Sequence, residues 1–300
     1  MEWQQIIGFY HVARLGSFTR AAEATFRTQS ALSQQVKGLE EELSCLLVER
    51  IGRRKLRLTE AGEQFFKFAE GVLENYEILT ESLHGIQGSQ KGSLSIAAPF
   101  TTLYHLFPGI LQEYVVQYPR IRLTILDRPQ KTAISLVKNG DVDFGFALES
   151  MTPSDLLVSP WKKVETVLMT PLKHPLTEET DVTFEKIAKY PLIINPREPL
   201  HESRLNVEER LQKLGLPYHV IMESSNVDLS SLYVEQGLGI AFATIVRNLP
   251  ILKKRKLQFL PLDHYFEPDY LAVVGRKTRR LTSHKRAFLS LLLDRHITDS

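Results

Sequence analysis

The 300-residue sequence has a single cysteine, Cys45, which excludes intramolecular disulfides and metal sites built on several thiolates. With the apolar Leu43 and Leu46 beside it, Cys45 is expected to be a buried structural thiol. Long apolar runs are missing too: none approaches the roughly 20 residues a helix needs to cross a bilayer. The N-terminus offers Glu2, Gln4 and Gln5 in place of the basic and then apolar pattern of a secretory leader, so a cytoplasmic location is expected. There is little charge excess: 37 Lys and Arg face 35 Asp and Glu, a net charge of +2. That balance excludes a chain that grips polyanions along its whole surface. Catalytic spacings are lacking as well. The nine histidines form no HxH or HExxH pattern, and no GxSxG elbow occurs. Asp141 and Asp143 stand two apart, but the Asn139-Gly140 turn before them favours a loop role. The sequence therefore gives no catalytic residues, no metal site and no cofactor site, and the chain is expected not to be an enzyme.

A hydrophobic content of 43% over 300 residues suffices for two or three domains. The most informative stretch is SFTRAAEATFRTQSALSQQVKGLEEEL, residues 17–43. Ser17 suits the N-cap of a helix carrying the small residues Ala21, Ala22 and Ala24, and a break follows at 25–27. Thr28 suits the cap of a second helix, in which Leu32, Val36, Leu39 and Leu43 form one buried stripe. The other face shows Gln29, Ser30, Ser33, Gln34 and Lys37, groups able to reach base edges and phosphates. Directly downstream, Arg50, Arg53, Arg54, Lys55 and Arg57 fall within eight positions without an intervening acid. A basic hairpin after a helix-turn-helix is the layout of a winged DNA-binding unit, with the helix in the major groove and the wing on the backbone. A helix over 2–15, ending at Gly16, would support it.

Thr59 suits the cap of a long helix. Phe65, Ala69, Val72, Tyr76, Leu79, Leu83 and Ile86 follow at steps of 4, 3, 4, 3, 4 and 3, a heptad seam that calls for a partner helix. The Gly- and Ser-rich run at 85–93 reads as a hinge. From Leu94 onward strands alternate with helices. LSIAA, 121–126, 142–148, 164–170, 191–195, 219–223 and 239–244 read as strands. A helix after Pro99 that takes in Leu106, Ile110, Leu111 and Tyr114, and others at 134–140, 202–214 and 227–236, lie between them. This grammar predicts parallel sheets covered on both faces, in two small α/β lobes joined near 163 and again near 266. Ligands of such sheets sit at the loops beyond the strand C-termini, where helix N-termini favour anions. Those loops offer Thr101 and Thr102, then Gln130 and Thr132, then Arg197, His201 and Ser203, then Ser225 and Asn226. Arg197, between Pro196 and Pro199, is held ready for a carboxylate or sulfate. Cap and turn roles explain the hydroxyls and Asn226 equally well.

Phe9, Val12, GSFTRAAEA at 16–24, TQSALSQQVKGLEEEL at 28–43, Glu49-Arg50, Arg54 and LTEAG at 58–62 together resemble the N-terminal signature of LysR-type transcriptional regulators. The match is dense over about sixty residues. It departs at Ser44, where glycine is usual, and at Leu47, where phenylalanine is usual; both read as packing variation. The resemblance implies a winged helix-turn-helix domain over 1–58, a linker and dimerisation helix with its hinge over 59–90, and an effector-binding domain over 91–300. Within the last, lobe I would span 91–163 and 267–300, and lobe II 164–266, joined by two crossing strands as in periplasmic binding proteins. It further implies a homo-oligomer, a dimer or a tetramer, on promoter DNA. A small effector at the loops named above would change the lobe angle and DNA bending, and RNA polymerase is a candidate further contact. Two alternatives stay open: a ligand-independent regulator or architectural DNA-binder, and an enzyme or solute-binding domain fused to a DNA-binding head.

Overall fold

A computed structural model describes residues 1–51, 55–86, 91–196, 202–246, 255–277 and 280–298. They form two compact units, one of residues 1–91 with 278–283, the other of 92–277 with 284–300. In the first unit, helices α1 (Trp3–Leu15), α2 (Phe18–Thr25) and α3 (Gln29–Leu43) precede strands β1 (Val48–Ile51) and β2 (Lys55–Leu58) and the long helix α4 (Glu60–Ile86). Local chemistry sets the boundaries. Gly16 ends α1 in the left-handed conformation (φ 59°), Ser17 Oγ accepts from the Arg20 N–H, and Thr28 Oγ1 accepts from the Ala31 N–H at 3.2 Å. Phe9, Val12, Ala21, Leu32, Val36, Leu39 and Leu47 form the core. Each contributes about 1.5–3 kcal/mol on burial, Ala21 less.

Three sequence expectations change at the end of α3. Leu43 is exposed rather than completing the buried stripe. Ser44 has φ 54°, so the glycine usual at this position in the resembling family answers a backbone demand, not a packing one. That turn directs Cys45 and Leu46 outward, and Cys45 is exposed, not buried. Leu47 is the residue that re-enters the core, and Glu40 Oε1 accepts from both the Leu47 and Val48 N–H groups, at 2.8 and 3.1 Å.

The LTEAG segment then joins wing to helix. The Thr59 N–H donates to Leu47 O, its hydroxyl donates to Leu46 O at 2.6 Å, and the same oxygen accepts from the Gly62 N–H at 2.9 Å, capping α4. Gly62 lies so close to the preceding turn that a Cβ would stand 1.9 Å from Leu47 O. Phe65 meets Phe9 edge-on at 5.1 Å, and Phe66 stacks on Tyr10 at 5.4 Å. The first positions of the heptad stripe, Phe65 and Ala69, are therefore packed into their own unit, whereas Tyr76, Leu79 and Leu83 are exposed. Ile86 closes α4.

The second unit is built on a nine-stranded mixed sheet in the order β4-β3-β5-β11-β6-β9-β7-β8, with β10 also paired to β6. The strands are β3 (Gly92–Ala98), β4 (Ile121–Asp127), β5 (Phe144–Leu148), β6 (Leu156–Pro171), β7 (Leu192–Ile194), β8 (Val220–Glu223), β9 (Ile240–Val246), β10 (Leu257–Pro261) and β11 (Asp269–Arg276). Helices α5 (Phe100–Leu106), α6 (Pro108–Gln117), α7 (Gln130–Lys138), α8 (Phe184–Ile187), α9 (Glu202–Lys213), α10 (Val227–Glu235) and α11 (Ser283–Thr298) complete it. The flanks are parallel as the sequence predicts; the centre, where β6 meets β11, β9 and β10, is antiparallel. Both faces are covered. Along β6, Leu168 enters one core with Phe184 and Leu211, while Val167 and Met169 enter the opposite core with Val234 and Ala243.

The single helix expected after Pro99 is two, because Pro108 starts α6 anew after Phe107. Helix α7 begins earlier than expected, at Gln130, and β10 and α11 carried no clear sequence signal. Asp143 and Asp141 form no carboxylate pair. Asp141 is exposed, and Asp143 is buried 3.1 Å from Lys285 Nζ, its second oxygen accepting from the Ser95 N–H and hydroxyl at 2.7 and 2.8 Å.

Two glycines of α4 separate close approach from mere helix propensity. Gly62→Ala should lower unfolding stability by about 2–3 kcal/mol, because backbone must shift to admit the methyl. Gly71→Ala, with nothing within 4 Å of the new carbon, should raise it by up to about 1 kcal/mol. Urea unfolding of both variants checks the pair, and equal effects would contradict the packing described.

Candidate functional site

Helix α3 presents two faces of opposite character. Leu32, Val36 and Leu39 are buried, while Gln29, Ser30, Gln34 and Lys37 are exposed and Ser33 is half-buried. Thr28 is already engaged: besides capping the helix, its hydroxyl lies 3.1 Å from Ser30 Oγ. Lys37 reaches Glu41, at 3.4 Å on the exposed surface, a pairing worth little in water and readily exchanged for a phosphate. Strands β1 and β2 pair antiparallel, with Glu49 opposite Arg57 and Arg50 opposite Leu56. Arg57 is exposed, Arg50 stands on β1, and Arg53 and Arg54 lie outside the described residues. Uncharged hydrogen-bonding groups thus occupy the start of a helix whose N-terminus is capped and accessible, and a two-stranded hairpin with basic residues follows that helix in the chain. In α1 below, burial first and then Arg14 hold the His11 imidazole below its ordinary pKa, favouring the neutral ring.

The loops of the second unit sit beyond the C-terminal ends of parallel strands. Thr101 and Thr102 open α5 after β3; Thr101 is half-buried and Thr102 buried. Gln130 begins α7 after β4, and its Oε1 accepts from the Leu148 N–H at 2.7 Å, tying this loop to the end of β5. Thr132 lies in the first turn of α7. Arg197 and His201 lie outside the described residues, and Ser203 stands in α9. Asn226 caps α10, its Oδ1 accepting from the Leu229 N–H at 2.9 Å, after the buried Ser224 and the exposed Ser225. Gln130 and Asn226 therefore each carry a structural duty in addition to facing a loop. Among the described residues, no group of three potential metal ligands occurs, and no helix is long and apolar enough to cross a membrane.

Two features carry no flag in the sequence. His105 of α5 and Asp228 of α10 are 123 positions apart, yet His105 Nε2 lies 2.7 Å from Asp228 Oδ1. Their side chains are only 2% and 16% exposed. This contact joins the helix after β3 to the helix after β8, bringing the first and fourth loops together. A signal existed only as spacing: His105 falls one helical turn after Thr101 and Thr102, and Asp228 two residues after Asn226. The second feature is Phe26, in the turn before α3, whose side chain is 97% exposed.

Comparison with known proteins gives the same two-part division. Residues 3–63 match the family model described as bacterial regulatory helix-turn-helix protein, lysR family, and residues 87–296 match the LysR substrate binding domain. The HTH-type transcriptional regulator CysB of Burkholderia cenocepacia is 27% identical over 277 residues, 92% of this chain and 88% of that protein. The HTH-type transcriptional activator CmpR of Synechocystis is 29% identical over 284 residues, 95% of this chain and 92% of that one. A full-length OxyR structure from Pseudomonas aeruginosa shares the fold at a TM-score of 0.63 and 21% identity, covering 99% of this chain and 97% of its own. The cofactor-binding domain of the Cbl transcriptional regulator does so at 0.58 and 23%, over 70% of this chain and 92% of its own.

The His105–Asp228 contact is open to a double-mutant cycle. With His105→Ala, Asp228→Ala and the double variant, thermal or urea unfolding should return a coupling of about 1–3 kcal/mol. Strictly additive losses would mean that the two side chains do not meet.

Proposed function

We propose, from the premise that the chain belongs to the LysR family and is a DNA-binding transcriptional regulator with an effector-binding domain, that it reads a specific DNA sequence with α3 and answers to a small anion. The observation that carries the DNA half is the division of α3, with its apolar stripe buried while Gln29, Ser30, Gln34 and Lys37 are exposed toward solvent, where a groove could meet them. In the major groove a glutamine or serine discriminates bases by hydrogen bonds to their edges, and a lysine anchors on phosphate. Arg50, Arg53 and Arg54 would hold the backbone or minor groove beside it.

The effector half rests on four loops at strand C-termini, two from each flank of the sheet, with helix N–H groups at their ends. Thr101, Thr102, Gln130, Arg197, His201, Ser203 and Asn226 are the proposed contacts, between a lobe I of 91–163 and 267–300 and a lobe II of 164–266. A linker over 59–90 would join these lobes to the DNA-binding domain of 1–58. The relatives are transcriptional regulators, which agrees with a binding role and not a catalytic one.

Self-association is proposed through α4, where Phe68, Tyr76, Leu79 and Leu83 are exposed on a helix about 40 Å long. Leu79→Lys should then shift the sedimenting species toward monomer; an unchanged profile would place the interface elsewhere.

For the DNA half, Gln29→Ala should relax discrimination at one base pair by about 1–3 kcal/mol while leaving non-specific affinity in place. Equal weakening on all sequences would make Gln29 a phosphate contact instead. Arg53→Ala should reduce the slope of log affinity against log salt by about 1, and an unaltered slope would remove the wing from the interface.

A further inference from the structure

We propose that Phe26 reads a thymine methyl group in the DNA site, adding an apolar base contact outside α3 to the hydrogen-bonding ones on it. The proposal rests on the reading of α3 as the DNA-reading helix and concerns a residue in the turn before it. Phe26 closes α2, its N–H donating to Ala22 O and Glu23 O. Its backbone is left-handed, φ 53°, a conformation that glycine or asparagine adopts at less cost than a bulky aromatic residue. Its side chain is 97% exposed. The free protein therefore draws neither packing nor backbone comfort from a phenylalanine here. Both costs would be offset only by a surface that covers the ring.

The neighbouring cations do not compete for that surface. The Arg27 guanidinium is hydrogen-bonded to the Gln4 side chain and that of Arg20 to Leu15 O, so both are drawn back onto α1. Phe26 stands exposed in the turn. It precedes the Thr28 cap by two residues and Gln29 by three. Three residues of chain span at most about 10 Å, so the ring reaches a base within about three steps of the one Gln29 meets. A phenyl ring has no donor or acceptor for phosphate or for most base edges. The apolar mark that the major groove offers is the C5 methyl of thymine, and phenylalanine is among the side chains that contact it.

The test uses the full-length protein and a duplex that it selects from a random pool, with each thymine replaced in turn by deoxyuridine, which lacks only the methyl. Wild-type protein should lose roughly fourfold in affinity at one thymine close to the base read by Gln29, about the worth of one methyl-sized apolar contact. Phe26→Ala should bind the thymine duplex with the same loss and be indifferent to uracil at that position. Phe26→Asn, which suits the left-handed backbone, should behave likewise and shows that the loss is not one of folding. Gln29→Ala should retain the sensitivity to uracil. The proposal is overturned if no single replacement affects wild-type binding, or if Phe26→Ala remains as sensitive as wild type. It is equally overturned if Phe26→Ala weakens every duplex alike, which would put the ring on the backbone. Should Gln29→Ala leave base preference intact, the reading of α3 falls instead, and the uracil series still judges Phe26 by itself.

Discussion

Strand β6 is the constraint on which the second unit depends. Sixteen residues run without interruption from Leu156 to Pro171, pairing with β11 over their first half and with β9 and β10 over their second. At Val164 the strand is bonded on one side to Asp269 and on the other to Val246, the point at which its partners change. Trp161 is the extra residue of the bulge three positions earlier, buried against Phe107 and Phe146 at 5.7 and 5.4 Å. One strand therefore belongs to two hydrophobic cores, and the parallel flanks on either side inherit their relative placement from it. The His105–Asp228 contact adds a further link between those flanks, at the helices that follow β3 and β8. A ligand touching loops of both flanks would act on two parts linked through β6, through the chain that returns from β10 to β11, and by the His105–Asp228 contact.

The DNA-binding unit relies on a different constraint, close approach at Leu47. Its side chain fills the core, its N–H is held by Glu40, and its carbonyl accepts from Thr59 while leaving room for Gly62 alone. The end of α3, the first strand of the hairpin and the start of α4 all meet at that residue. The orientation of α3 is thus fixed by backbone geometry as well as by its buried stripe. Its exposed face can then consist of polar side chains that contribute little to the fold, as the proposed reading of DNA requires.

Much of this was legible in the residues, and the reasons are local. Caps at Ser17, Thr28 and Thr59, the left-handed Gly16 and the 3.6-residue period of Leu32, Val36 and Leu39 act over one or two turns, so the sequence displays them directly. The crossing of β6 does not: its first half holds Pro160, Lys162 and Lys163, which obscure a strand pattern, and its partners lie about a hundred residues away. Cys45 shows the limit of neighbour reasoning, since Ser44 in the left-handed conformation turns it outward despite flanking leucines. The heptad stripe of α4 was visible, but not that Phe65 and Ala69 would pack within their own unit. Of the loop residues, the sequence located Asn226 at a helix start and Gln130 in a loop, without revealing their hydrogen bonds to Leu229 and Leu148, and nothing local joined His105 to Asp228.

The most direct test of the account is whether a small anion changes DNA binding. Affinity and footprint of the full-length protein on its selected duplex would be measured across a panel of small metabolite anions, with Thr102→Ala alongside. The account predicts that at least one anion alters affinity or the length of DNA protected, and that Thr102→Ala loses the response while still binding DNA. Identical affinity and footprint with every anion, or a response that Thr102→Ala keeps in full, would contradict it.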